Sequence, residues 1–110
     1  MNKVLTPDLC VVGGGSGGLS VAAGAVQMGA SVVLVEGHKM GGDCLNYGCV
    51  PSKALLAAAK VPGMDFATAK ARVAEVIAGI APHDSVERFT GLGVQVIEAY
   101  GQFISPTEMT

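Results

Sequence analysis

Two thiols and the glycines around them carry the chemistry of this sequence. Cys44 and Cys49 lie in the segment GGDCLNYGCVPSK, five positions apart. In a regular helix that spacing sets the Cα atoms roughly 8 to 9 Å apart. A disulfide needs less than about 7 Å. A bond between the two sulfurs therefore needs a distorted turn, and Asn46 and Gly48 are residue types that supply one. Cys49 falls at the start of a helix that takes Pro51 in its first turn. The partial positive charge there favours a thiolate, and Lys53, one turn on, adds to it. The pair is thus a candidate for redox or nucleophilic work.

The same thiols have other possible uses. A zinc site normally takes four ligands at two-to-four-residue spacing, and no second cysteine pair exists to complete one with His38 and His83. Both histidines read as surface residues, so no metal site is assigned. Three cysteines leave one unpaired, which favours redox or metal chemistry over a structural framework. Cys10, inside an apolar run, is expected to be inert core.

The second chemical feature is Gly13-Gly14-Gly15-Ser16-Gly17-Gly18, which contains the G-x-G-x-x-G pattern as Gly13, Gly15 and Gly18. Gly13 permits a tight turn out of a strand, Gly15 lets a pyrophosphate approach the backbone, and Gly18 lets helix and strand pack closely. The helix that follows presents its amino end to the phosphates. Alone the pattern is weak. Here it follows an apolar strand, precedes a helix, and has an acid, Glu36, at the end of the next strand, where it can accept bonds from ribose hydroxyls.

The elements that must position these groups read as follows. Asp8 to Val12 is a strand covered on both faces, Gly13 to Gly18 a loop, Leu19 to Met28 a helix stopped by Gly29, and Ser31 to Val35 a second buried strand. This is a βαβ unit with parallel strands and a right-handed crossover. Gly37 to Gly48 reads as loop and Val50 to Lys60 as helix. Asp65 caps a further helix to about Ile80, whose apolar face is Phe66, Ala69, Val73, Val76, Ile77 and Ile80. A short turn begins at Asp84, with Glu87 at the capping-box position and Gly91 as its stop. Val94 to Ile97 is a third strand, and Tyr100 to Ser105 the start of another. The fold class is α/β, a Rossmann-like βαβ domain of parallel strands with flanking helices. It is incomplete, because doubly wound sheets have more strands than three, and an exposed sheet edge is expected.

Composition narrows the function. The chain has 110 residues, half of them hydrophobic and 15% charged, as a folded domain requires. A net charge of −2 with 5% aromatics does not support a nucleic-acid surface. Leu9 to Val35 lacks charge, but its seven glycines make a poor membrane helix. A cytoplasmic protein without membrane partners is expected.

Together, VVGGGSGG, Glu36 and GGDCLNYGCVPSK resemble the amino-terminal part of the pyridine nucleotide–disulfide oxidoreductases, which include dihydrolipoamide dehydrogenase, glutathione reductase and mercuric reductase. The resemblance covers nearly the whole chain and about the first quarter of a typical member. It implies FAD as cofactor, with the pyrophosphate at Gly13, Gly15, Ser16, Gly17 and Gly18, the adenosine ribose on Glu36, and further contacts from Gly41, Gly42 and Asp43. It implies that Cys44 is the interchange thiol that meets substrate, that Cys49 is the thiol beside the flavin, and that Lys53 lies near the flavin N5. NAD(P)H reduces the flavin in the full-length enzyme, the flavin reduces the disulfide, and the dithiol reduces a small-molecule disulfide or a metal ion. A homodimer is implied for the full-length protein.

Asp43 stands where many members have Thr, and a carboxylate beside FAD phosphates is repelled unless it points away or is bridged. Tyr47 replaces a common small aliphatic residue and can shape the substrate side of the pair. No second glycine fingerprint for NAD(P), no dimer domain and no His–Glu pair occur within residues 1–110. The chain is therefore expected to be one piece of a longer product and inactive alone. Three other functions compete with this reading. They are a non-catalytic FAD- or nucleotide-binding module, a thiol metal-binding protein, and an NAD-only oxidoreductase with incidental cysteines.

Overall fold

The computed structural model describes residues 4–110. Strand β1 (Leu9–Val12) leads into helix α1 (Ser16–Gln27), strand β2 (Val32–Val35), short helix α2 (Gly42–Asn46) and helix α3 (Cys49–Ala59). Helix α4 (Phe66–Ile80), a 3₁₀ turn at Ala81–Asp84, helix α5 (Val86–Leu92) and strand β3 (Gln95–Ile97) complete the order.

The three strands form one parallel sheet in the order β1-β2-β3. Leu9 pairs with Val32 and Val12 with Val35 across the first ladder, while Val33 to Val35 pair with Gln95 to Ile97 across the second. β2 is central, and all four of its residues are buried. The α1 crossover joins two parallel neighbours, as the βαβ pattern predicts.

β1 departs from its expected double cover. Val11 is buried but Val12 is exposed, and Cys10 is exposed, not inert core. Val11 packs into the core with Leu19, Ala22 and Phe89, while the opposite face of β1, which carries Cys10 and Val12, is left open. That core joins Val11, Leu19, Ala22, Val32, Leu34, Phe89 and Val94. Phe89 comes from α5 and is 2% exposed. Burying such a side chain contributes about 1.5 to 3 kcal/mol.

Several boundaries move for identifiable reasons. α1 starts at Ser16, three residues before the predicted Leu19, so Ser16, Gly17 and Gly18 form its first turn instead of a loop. It ends at Gln27, and Gly29 follows at φ +90° as the expected stop. Asp65 caps α4 as predicted, accepting a hydrogen bond from the Thr68 amide at 2.7 Å. The α4 apolar stripe exists, but only Ala69 is buried and Phe66 is largely exposed. The α5 cap is Ser85, not Asp84; its hydroxyl accepts from the Arg88 amide. α5 runs through Gly91 and ends at Gly93, in the left-handed region at φ +107°. Residues 100–105 form no long strand. They make an isolated antiparallel bridge between Phe103 and Met109, closed by paired bonds between Gln102 and Thr110.

Candidate functional site

The site lies where the carboxyl ends of β1 and β2 meet the amino end of α1. Gly13 leaves β1 at φ +106°, a conformation that L side chains rarely adopt, and its amide donates to Val35 O at 2.8 Å. A Cβ on Gly18 would collide with the Gly13 carbonyl and crowd Val11, so the third glycine of the pattern is the one that permits helix–strand contact. Gly15 is the N-cap of α1 in extended backbone, and no side chain caps the helix there. The first backbone bond into α1 is from the Leu19 amide to Gly15 O, at 2.9 Å. The amides before it in the first turn lack intrahelical partners and are the groups that hold an anion at a helix start. A Cβ on Gly17 would meet nothing within 4 Å, and one on Gly15 only the Gly42 Cα at 3.9 Å. These residues fit a diphosphate: the backbone is bare where phosphates would approach.

Glu36, just past β2, is half-buried and its carboxylate accepts from the Gly14 amide at 3.4 Å. Its own amide donates to Ile97 O. The acid is therefore held against the glycine loop, as a ribose acceptor needs to be. Beside it, a Cβ on Gly37 would strike the ring of Tyr100, an exposed aromatic.

The segment expected to be one long loop contains α2, and this helix carries Cys44. Gly41 and Gly42 enter it at φ +92° and +61°. Gly41 donates to Gly14 O at 2.8 Å, and a Cβ on Gly42 would lie 2.7 Å from the Gly15 Cα. The two glycine segments thus touch backbone to backbone. Tyr47 ends α2, Gly48 turns the chain, and Cys49 opens α3. Gly48 makes the turn at negative φ (−123°), and a Cβ there would lie 2.9 Å from Asp43 O. Its role is to permit close approach, not left-handed backbone. Asn46 is not a turn residue either: it is helical, and its amide group bonds to the carbonyls of Met40 and Gly42.

This kink between α2 and α3 brings the cysteine Cα atoms to 4.8 Å, and Cys44 and Cys49 are disulfide-bonded. Cys49 is exposed and Cys44 half-buried, so the bond is open to a thiol. Cys49 is the first residue of α3, as expected. Asp43 is exposed in the first turn of α2. Lys53 is exposed on α3. Gly13, Gly15, Ser16, Gly17, Gly18, Glu36, Gly41 and Gly42 gather at one end of the sheet, with the disulfide joined to them through α2.

Sequence reasoning missed a polar group on the disulfide's flank. His38 Nε2 lies 3.1 Å from the Tyr47 hydroxyl, and Lys39 Nζ lies 5.2 Å from the Tyr47 ring centre. Both histidines are exposed, as anticipated. Tyr47 also heads an open groove of about 300 Å³ between α3 and α4, walled by Pro51, Leu55, Phe66 and Val73. Among the described residues, no helix is long and apolar enough to cross a membrane.

Comparison with known proteins agrees with this geometry. The family model for pyridine nucleotide-disulphide oxidoreductases matches residues 7–108. A dihydrolipoyl dehydrogenase of Pseudomonas aeruginosa is 53% identical over 60 residues, covering 54% of this chain and 13% of that protein. One from Synechocystis sp. is 33% identical along 100% of this chain, which spans 27% of it. A mercuric reductase of Streptomyces lividans is 55% identical over 53 residues, covering 48% of this chain and 11% of the relative. Among solved structures, the Cu(II) complex of the HOCl-induced flavoprotein disulfide reductase RclA from Escherichia coli superposes with a TM-score of 0.85 at 26% identity. It covers 94% of this chain and 24% of that one. The chain therefore spans about a quarter or less of the length of these relatives.

Proposed function

This chain belongs to the pyridine nucleotide-disulphide oxidoreductase family, and on that premise we propose that it is the FAD-binding, redox-active-disulfide portion of an NAD(P)H-dependent flavoprotein disulfide reductase. The observation that carries the reading is the Cys44–Cys49 disulfide, exposed at the start of α3 and joined to a bare glycine loop by the Gly42–Gly15 contact.

Held on this loop, FAD would supply two-electron redox chemistry, taking hydride from a nicotinamide and passing the pair on toward the disulfide. The residues of this chain do the rest. The first-turn amides of α1 hold the diphosphate, with Gly15 and Gly17 leaving room for it. Glu36 accepts from the ribose hydroxyls. Gly41 and Gly42 bring α2 onto the loop, and Asp43 stands next to them in the first turn of α2. In the reduced pair Cys44 would attack a disulfide substrate, forming a mixed disulfide and releasing one thiol, and Cys49 would resolve it by re-forming the Cys44–Cys49 bond and releasing the second thiol. Lys53 on α3 tunes the flavin-facing side.

The substrate class is a small-molecule disulfide or a metal ion, consistent with relatives named dihydrolipoyl dehydrogenase and mercuric reductase. The apolar groove beside Tyr47 favours an organic disulfide. The family resemblance supports a homodimer and a cytoplasmic location. Anaerobic reduction of the full-length, FAD-loaded protein with NAD(P)H, followed by thiol titration, tests the reading. Appearance of the Cys44 and Cys49 thiols supports it; flavin reduction with the disulfide intact refutes it.

A further inference from the structure

We infer that Asn46 is a positioning residue that holds the two cysteines in ring-closing geometry by tying α2 to the dinucleotide loop. This inference rests on the redox role proposed for Cys44 and Cys49. Asn46 Nδ2 donates to Met40 O at 3.2 Å and to Gly42 O at 2.9 Å, using both of its side-chain donors. The segment it grips is docked on its other side: Gly41 donates to Gly14 O at 2.8 Å, Gly42 abuts Gly15, and a Cβ on Gly14 would lie 2.8 Å from Met40 Sδ. Asn46 thus joins the turn that touches the glycine loop to the helix that carries Cys44. Tyr47, Gly48 and Cys49 follow it directly, so its placement also sets where the chain turns toward Cys49.

A five-residue helix does not hold its shape by its own hydrogen bonds. In the dithiol state nothing covalent keeps Cys44 and Cys49 together. The Asn46 bonds preorganise that state, raise the effective concentration of one thiol at the other, and so favour the disulfide. Asp at this position keeps the shape but replaces two donors with acceptors facing two carbonyl oxygens.

The test measures the thiol–disulfide equilibrium of Cys44 and Cys49 against dithiothreitol in the FAD-loaded protein, with no NAD(P)H present. Wild type is compared with Asn46→Asp and Asn46→Ala. The expected result is a shift of about tenfold or more toward the dithiol, equal to about 30 mV for a two-electron couple. A residue that only supports the fold would lower the melting temperature of oxidised and reduced protein alike and leave the equilibrium unmoved. That outcome, or failure of both variants to fold, overturns the inference. The reading of the whole site fails separately, if wild-type Cys44 and Cys49 receive no electrons from NAD(P)H through the flavin.

Discussion

Gly42 and Gly15 meet across the site, one at the entrance to α2 and the other at the cap of α1, so closely that a Cβ on Gly42 would lie 2.7 Å from the Gly15 Cα. The disulfide and the dinucleotide loop are therefore parts of one packed unit.

Gly42→Ala breaks that contact. The alanine must also take φ +61°. The expected loss is about 1 to 3 kcal/mol of stability, as for overpacking elsewhere, together with weaker flavin binding. Denaturant melts and a flavin titration measure the two losses.

Gly17→Ala separates fold from ligand. Its Cβ meets nothing, and the residue is helical, so alanine should stabilise α1 by about 0.5 to 1 kcal/mol. If phosphates lie on this backbone, flavin affinity falls while the melting temperature rises. An unchanged flavin Kd would place the diphosphate elsewhere.

Thiol counting reads the pair directly. Before reduction only Cys10 should react under native conditions, and after reduction and unfolding three cysteines should. Cys49→Ser should give two reactive thiols, Cys10 and Cys44, whether or not reductant was added, and the same substitution in the full-length protein should abolish NAD(P)H-dependent turnover.

Glu36→Gln tests the proposed ribose contact by removing the charge. Hydrogen bonds to charged groups contribute about 1.5 to 3 kcal/mol, so flavin Kd should rise roughly 10- to 100-fold. Isothermal titration checks it.

Acid should weaken the fold through two exposed aspartates. The Ser31 amide, and then its hydroxyl, hold the Asp8 carboxyl below its ordinary value, and the Thr68 amide at the head of α4 does the same for Asp65. Because the folded values are lowered, their contribution is complete above the unfolded value of about 3.9 and is lost as pH falls through the folded one. Asp8→Asn with Asp65→Asn should flatten the acid limb of melting temperature against pH, measured from neutral pH to about pH 2.

What could be read from sequence was local and periodic. Val32 to Val35 are apolar without interruption and proved central in the sheet. Asp65 ahead of an amphipathic run proved a cap. The exposure of Cys10 was not legible, because an apolar strand shows no sign of which face has a neighbour. Nor was α2: two positive-φ glycines and five residues carry no helical period, and the helix persists by docking on Gly14 and Gly15. Asn46 carried a turn signal, yet its side chain bonds to backbone instead. The Ser85 cap was misplaced by one residue because Asp84 and Glu87 match the same pattern as Ser85 and Arg88 match in part.

The cysteines are separated by only five positions, which bears on how the fold tolerates loss of the bond between them. A cross-link closing so short a loop restricts the unfolded chain by only about 2 kcal/mol, against nearly 5 for a loop of a hundred residues. Reducing the pair therefore removes little of what keeps the chain folded, and the core around Phe89 includes neither cysteine.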